Sequence, residues 1–197
     1  MSAVAASAYR AGEKIRSEYD GIEHDYTRKK GVVHTEILLP DHGRVSMQTA
    51  LFCGTQLRKS NGTRPRNLQG EIEVDLPREL THEQHLSLVR RYVKNQFVHY
   101  GMCADFAIHD TGSGNPHAHI MLTMRPLNED KTWRQKSQTV DGKKIPTVDW
   151  NEQTKAEHWR EVWASYTNEM LREIGCAGID NRSYERQGID KIPPLYI

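Results

Sequence analysis

Residues 107–122, AIHDTGSGNPHAHIML, decide how this chain folds. Two apolar runs, extending back to Cys103 and on to Leu127, flank a turn rich in Gly, Asn and Pro. That pattern predicts an antiparallel hairpin. His117 and His119 stand two apart on its second strand, so their side chains leave the same face. His109 ends the first strand, and the hairpin brings it alongside them. A single histidine on a strand is most simply a core or solvated imidazole. Two on one face, with a third placed by a turn, suit a divalent cation. Three protein ligands also leave coordination positions open, as in a catalytic rather than a closed structural metal site.

Outward from the hairpin, residues 31–40, GVVHTEILLP, read as a strand stopped by Pro40. EIEVDLP, residues 71–77, alternates Ile72, Val74 and Leu76 with Glu71, Glu73 and Asp75. This period of two gives a strand one apolar and one acidic face. Residues 81–98 read as a helix, with Thr81 and Gln84 as its capping box and Leu86, Val89, Val93 and Phe97 on one face. A second long helix covers residues 153–175. Thr154 and Glu157 are its cap, Trp159, Val162, Trp163, Tyr166 and Met170 its apolar stripe, and Gly175 its stop. An N-terminal helix is expected over residues 3–19, AVAASAYRAGEKIRSEY. The fold class is therefore α+β: a central antiparallel sheet with flanking helices.

Composition narrows the class further. The 197 residues are enough for one domain with a sizeable core, and 27% charged residues against 37% hydrophobic fit a globular chain. Cys53, Cys103 and Cys176 offer neither a disulfide framework nor a zinc-knuckle spacing, which favours a reducing compartment. No signal peptide or membrane span is read, and a cytoplasmic location is expected. A net charge of +1 gives no general argument for nucleic acid, so any basic surface is local. Arg28, Lys29 and Lys30 form one such run; alone, it reads as a solvated loop.

The histidine stretch closely resembles the metal-site motif of the MobA/MobL-type conjugative relaxases, members of the HUH endonuclease superfamily. SAVAASAYRAGEK, HDYTRKKGVVHTEILLP, GEIEVDLPRELT and GIDNRSYERQGIDKIP resemble the same family in the same order. The resemblance implies a domain that nicks one DNA strand at a plasmid transfer origin through a tyrosine that becomes joined to the 5′ phosphate. It implies Tyr9, in ASAYR, as the nucleophile, with Tyr19 and Tyr26 as competing hydroxyls. It places the metal ligands at His109, His117 and His119, with Mg²⁺ or Mn²⁺ as the expected ion and Zn²⁺ or another transition metal as alternatives. It gives Arg28, Lys29 and Lys30 weight as phosphate contacts. Glu73 or Glu71 would handle the tyrosine proton or orient a ligand histidine; the alternative is the solvent face of an edge strand. The implied partners are single-stranded DNA at the transfer origin, accessory mobilisation proteins and a coupling protein, with no membrane.

The chain departs from the family pattern at three places. Family members begin with a short strand before the SAVAA helix, and its loss is expected to leave a sheet edge unpaired. Residues 48–69 do not resemble the family helix, in the manner of a compensated reading-frame shift. The chain also ends at KIPPLYI, where many members carry a helicase or primase part. The expected organisation is a relaxase domain over residues 1–175 with 176–197 as its extension. Two rival readings are a decayed, non-catalytic single-strand-binding fragment and a rolling-circle replication initiator of the same superfamily.

Overall fold

The computed structural model describes residues 3–17, 20–43, 71–150 and 152–190. Tyr19 and the divergent segment 48–69 lie outside the described residues. The chain forms two compact units, Met1–Asn151 and Glu152–Ile197.

In the first unit, α1 (Ala3–Ala11) is followed by β1 (Lys14–Arg16) and β2 (Glu23–Asp25), which pair antiparallel. Then come β3 (Val32–Leu38), β4 (Glu71–Asp75), α2 (His82–Gln96), β5 (Ala104–His109) and β6 (His117–Leu122). A small hairpin of β7 (Ser137–Val140) and β8 (Lys143–Pro146) completes the unit. The main sheet has four antiparallel strands in the order β3-β5-β6-β4. The expected α+β fold, with its hairpin at residues 104–122, is what the chain adopts.

Strand register divides this sheet into two chemically different faces. His109 pairs with His117, Ala107 with His119, and Asp105 with Met121. On the other side of β6, Glu73 pairs with His119 and Asp75 with His117. Paired residues face the same way, so histidines and acids share one face. Phe106, Ile108, Ala118 and Ile120 alternate with them and form the opposite, buried face. Every residue of β5 is buried. It is an inner strand with α1 on the histidine face, tied there by Ser7 and Arg10 to Asp105. On the other face, Arg90 of α2 meets Glu36 of β3 at 2.6 Å, and the His34 ring stacks 5.8 Å from Phe106.

The N-terminal helix ends eight residues earlier than its composition suggests. Gly12 takes φ +64, and the Glu13 N–H returns to the Ala8 carbonyl at 3.1 Å. This is the Schellman return, and the chain leaves it as strand β1 rather than another helical turn. α2 carries the expected capping box, with both the Thr81 and Gln84 side chains engaged. Its buried stripe differs by one column, however: His85, Leu88, Val89, Tyr92 and Val93 are buried, while Leu86 is only half-buried. Thr81→Ala should lower stability by about 1 kcal/mol, because the Gln84 N–H loses the Thr81 hydroxyl as its acceptor. A urea unfolding midpoint left within error of wild type would contradict this.

The second unit contains α3 (Gln153–Glu173). Its N-cap is Glu152 without a side-chain hydrogen bond, so the expected Thr154 cap does not form. Trp163, Ala164, Thr167 and Leu171 are its buried residues; Trp159, Val162, Tyr166 and Met170 are half-buried. Gly175 ends it as expected, at φ +74, with Cys176 N–H returning to the Leu171 carbonyl at 2.9 Å. The Asn168 amide then grips the Ile179 backbone from both sides, at 2.9 and 2.6 Å. No described helix is long and apolar enough to cross a membrane.

Candidate metal centre

The three histidines converge because strand register permits nothing else. His109 and His117 are direct partners across β5 and β6, and His119 is one pleat further along the same face. Their ring centroids lie 4.8–5.4 Å apart, and one ligand nitrogen from each falls within 4.8 Å of the others. Three nitrogens sharing one ion in tetrahedral geometry, at bonds of about 2.1 Å, lie about 3.4 Å apart, so the rings must close by about 1 Å to hold it.

Hydrogen bonds decide which nitrogen each ring can offer. His109 Nε2 lies 2.8 Å from the Arg10 carbonyl, and His117 Nδ1 lies 2.9 Å from the Asn115 carbonyl. A carbonyl only accepts, so these nitrogens carry protons, leaving His109 Nδ1 and His117 Nε2 with their lone pairs. His119 Nδ1 is buried and has no hydrogen-bond partner, while Glu71 and Glu73 approach it at 3.7 and 3.8 Å. A proton on Nδ1 facing those carboxylates would leave Nε2 as the third donor. Burial lowers the His109 pKa, against the help of the Arg10 carbonyl. Burial, then repulsion from His109, His117, Lys29 and Arg10, lowers His119 to about 4. Neutral imidazoles with aligned lone pairs are what a divalent ion needs, and this donor set fits one.

Tyr9 stands beside this cluster. It is 39% exposed, while Val4, Ala5, Ala6, Ser7, Ala8 and Arg10 of the same helix are buried. Tyr26 packs edge-on against its ring, with centroids 5.4 Å apart. The basic run 28–30 does not act as one patch: Arg28 and Lys30 are exposed, whereas Lys29 turns inward. Its Nζ sits 3.5 Å from the centroid of the Tyr9 ring, 3.2 Å from the Tyr9 carbonyl and 3.4 Å from His109 Nδ1. Burial, with Arg10 nearby, lowers the Lys29 pKa to about 8. The turn of Lys29 depends on Gly31, at φ +83, where a Cβ would meet Thr111 Cγ2 at 2.6 Å. This close approach lets the Asp110 N–H bond the Gly31 carbonyl at 2.7 Å and brings the loop onto the end of β5.

Glu71 and Glu73 are on the edge strand, their side chains 43% and 60% exposed, yet both reach His119. The residues that sequence reasoning missed are Ser7, Arg10 and Asp105. Arg10 Nη2 and Ser7 Oγ both bond Asp105 Oδ2, at 2.7 and 2.9 Å, and all three residues are buried. The pair is 95 residues apart in sequence, with no local pattern to announce it.

Fold and site together define an α+β protein presenting three histidines beneath a short tyrosine-bearing helix. The model of the MobA/MobL family matches residues 1–197, and the chain belongs to that family. It is 34% identical over 219 residues to the conjugal transfer protein TraA of Agrobacterium fabrum, and 32% identical over 222 residues to the mobilization protein MobL of Acidithiobacillus ferridurans. Each match takes in all of this chain, which spans 20% of TraA and 57% of MobL. A solved structure concerned with the molecular basis of vancomycin resistance transfer in Staphylococcus aureus superposes with a TM-score of 0.81 at 26% identity, covering 93% of this chain and 92% of that one.

Proposed function

We propose that this chain is a plasmid-mobilisation relaxase domain that nicks single-stranded DNA at a transfer origin by tyrosine transesterification. The observation that carries the reading is the His109, His117 and His119 cluster beside Tyr9 in a MobA/MobL chain. A divalent ion held by the three imidazoles, Mg²⁺ or Mn²⁺ with Zn²⁺ as the alternative, supplies charge withdrawal from a phosphodiester that otherwise repels nucleophiles. Tyr9 Oη attacks the phosphorus and the 3′ oxygen departs as a hydroxyl, so the phosphate stays esterified to the tyrosine. A tyrosine ester keeps the bond energy for rejoining, which hydrolysis by water would discard. Lys29, on the Tyr9 ring, favours negative charge developing on that side chain. Arg28 and Lys30, exposed beside it, hold the flanking phosphates.

In this reading the relaxase domain occupies residues 1–175, with 176–197 as its extension, and works in the cytoplasm with accessory mobilisation proteins and a coupling protein. Glu71 and Glu73 orient His119 through its Nδ1–H, a role supported by their distances to that atom. Replacing both by alanine should weaken Mn²⁺ binding about tenfold in isothermal titration. An unchanged affinity would return them to the solvent face of an edge strand.

The direct test incubates the chain with labelled single-stranded oligonucleotides tiling its cognate transfer origin, in Mn²⁺, followed by a denaturing gel. A slow band that resists denaturant and disappears with protease is the expected product. Salt-dependent binding without such a band would replace the nickase by a non-catalytic single-strand-binding module.

A further inference from the structure

We propose that Lys29 is a built-in competitor for the metal position, capping the His109 lone pair in the metal-free protein and passing to Tyr9 when an ion binds. The inference rests on the metal reading above and goes beyond it. Its starting point is the tautomer of His109. Because Nε2 is committed to the Arg10 carbonyl at 2.8 Å, Nδ1 is the only atom this ring can offer an ion. The Lys29 ammonium lies 3.4 Å from that atom, and an ammonium can only donate. The lone pair that a metal requires is therefore already held by a cation of the chain itself.

Two consequences follow from elementary chemistry. One lone pair serves one partner, so an ion and Lys29 Nζ cannot both use Nδ1. A dication and an ammonium also repel at this range, and the half-buried position of Lys29 weakens the screening that water would provide. The ammonium has somewhere to go. Its other two contacts, the Tyr9 ring face at 3.5 Å and the Tyr9 carbonyl at 3.2 Å, both belong to the nucleophile residue. Nζ can therefore leave His109 while staying on Tyr9, placing a positive charge beside a side chain that must shed a proton to react. Lys29 thereby couples occupancy of the metal site to the state of the tyrosine. It is a positioning residue shared by the two, distinct from the exposed Arg28 and Lys30.

The test is calorimetric titration of Mn²⁺ into the DNA-free chain, wild type against Lys29→Met. The substitution keeps the length of the side chain and removes both the donor and the charge. Affinity should rise about tenfold, as expected for removing a like charge from the first few ångströms around an ion. Lys29→Gln should move it in the same direction, which covers the case in which the methionine variant fails to fold. Arg28→Met removes an equal charge from an exposed position and should change Mn²⁺ affinity by less than about twofold, since water screens that charge. Equal or weaker Mn²⁺ binding by both Lys29 variants would overturn the inference and leave the metal reading standing. A wild type and Lys29 variants that all fail to bind Mn²⁺ or Zn²⁺ would overturn both.

Discussion

Asp105→Ala should cost about 3–5 kcal/mol of folding stability, the penalty for leaving a buried charge without its partner. Arg10 is 1% exposed, and its guanidinium meets the Asp105 carboxylate, itself 6% exposed, at 2.7 Å. The pair is already poorly provided for, since Arg10 Nε and Nη1 are buried without a hydrogen-bond partner. Truncating Asp105 removes the compensating charge and the oxygen to which the Ser7 hydroxyl donates. A chain of this size has about 5–15 kcal/mol of stability in total, so the loss is a large fraction of it. It should appear as a marked fall in the urea midpoint without a change in slope. Asp105→Asn keeps an acceptor oxygen for Ser7 and should fall between the two. The double variant Arg10→Met/Asp105→Leu should recover much of the loss, because an apolar pair of similar volume avoids desolvating either charge. A single Asp105→Ala variant with wild-type stability would mean that Arg10 reaches water, and that the clamp between α1 and β5 is not what holds the helix.

This clamp also explains why some of the site was legible in the sequence and some was not. The histidine cluster was readable because a strand's period of two and a turn rich in glycine determine which side chains meet, whatever the rest of the chain does. The acidic face of β4 was readable for the same reason. Lys29 was not: three consecutive basic residues look alike, and only the approach of Gly31 to Thr111 turns one of them inward. Arg10 and Asp105 were invisible because their pairing depends on α1 lying across β5, a contact between residues 95 positions apart. The N-terminal helix was overextended because its composition outweighed Gly12, whose left-handed conformation closes it. The β7–β8 hairpin is a different kind of miss. Asp141 and Gly142 both have positive φ and form the kind of two-residue turn that favours Asp-Gly, so its signal was present in the sequence.

Tyr9→Phe should abolish the covalent DNA adduct while leaving the rest of the site in place, and the contacts of Tyr9 explain why the variant is informative. The substitution removes a single oxygen. The ring face that receives Lys29 Nζ and the edge contact with Tyr26 both persist in phenylalanine. The carbonyl that bonds Lys29 is main chain and unaffected. Folding stability and Mn²⁺ affinity should therefore match wild type, and binding to the origin oligonucleotide should change little. Only the protease-sensitive band should vanish, because no other atom at position 9 can form a phosphoester. Tyr26 is the necessary control: it packs against Tyr9 and belongs to the small cluster of Val4, Ala8 and Ile15 beneath α1. Tyr26→Phe should retain the adduct. If the band survives in Tyr9→Phe and is lost in Tyr26→Phe, the nucleophile is the second ring of the pair, and Lys29 holds Tyr9 as a support for it. If the band survives in both variants, the attacking hydroxyl lies elsewhere, and Tyr19 is the next to replace.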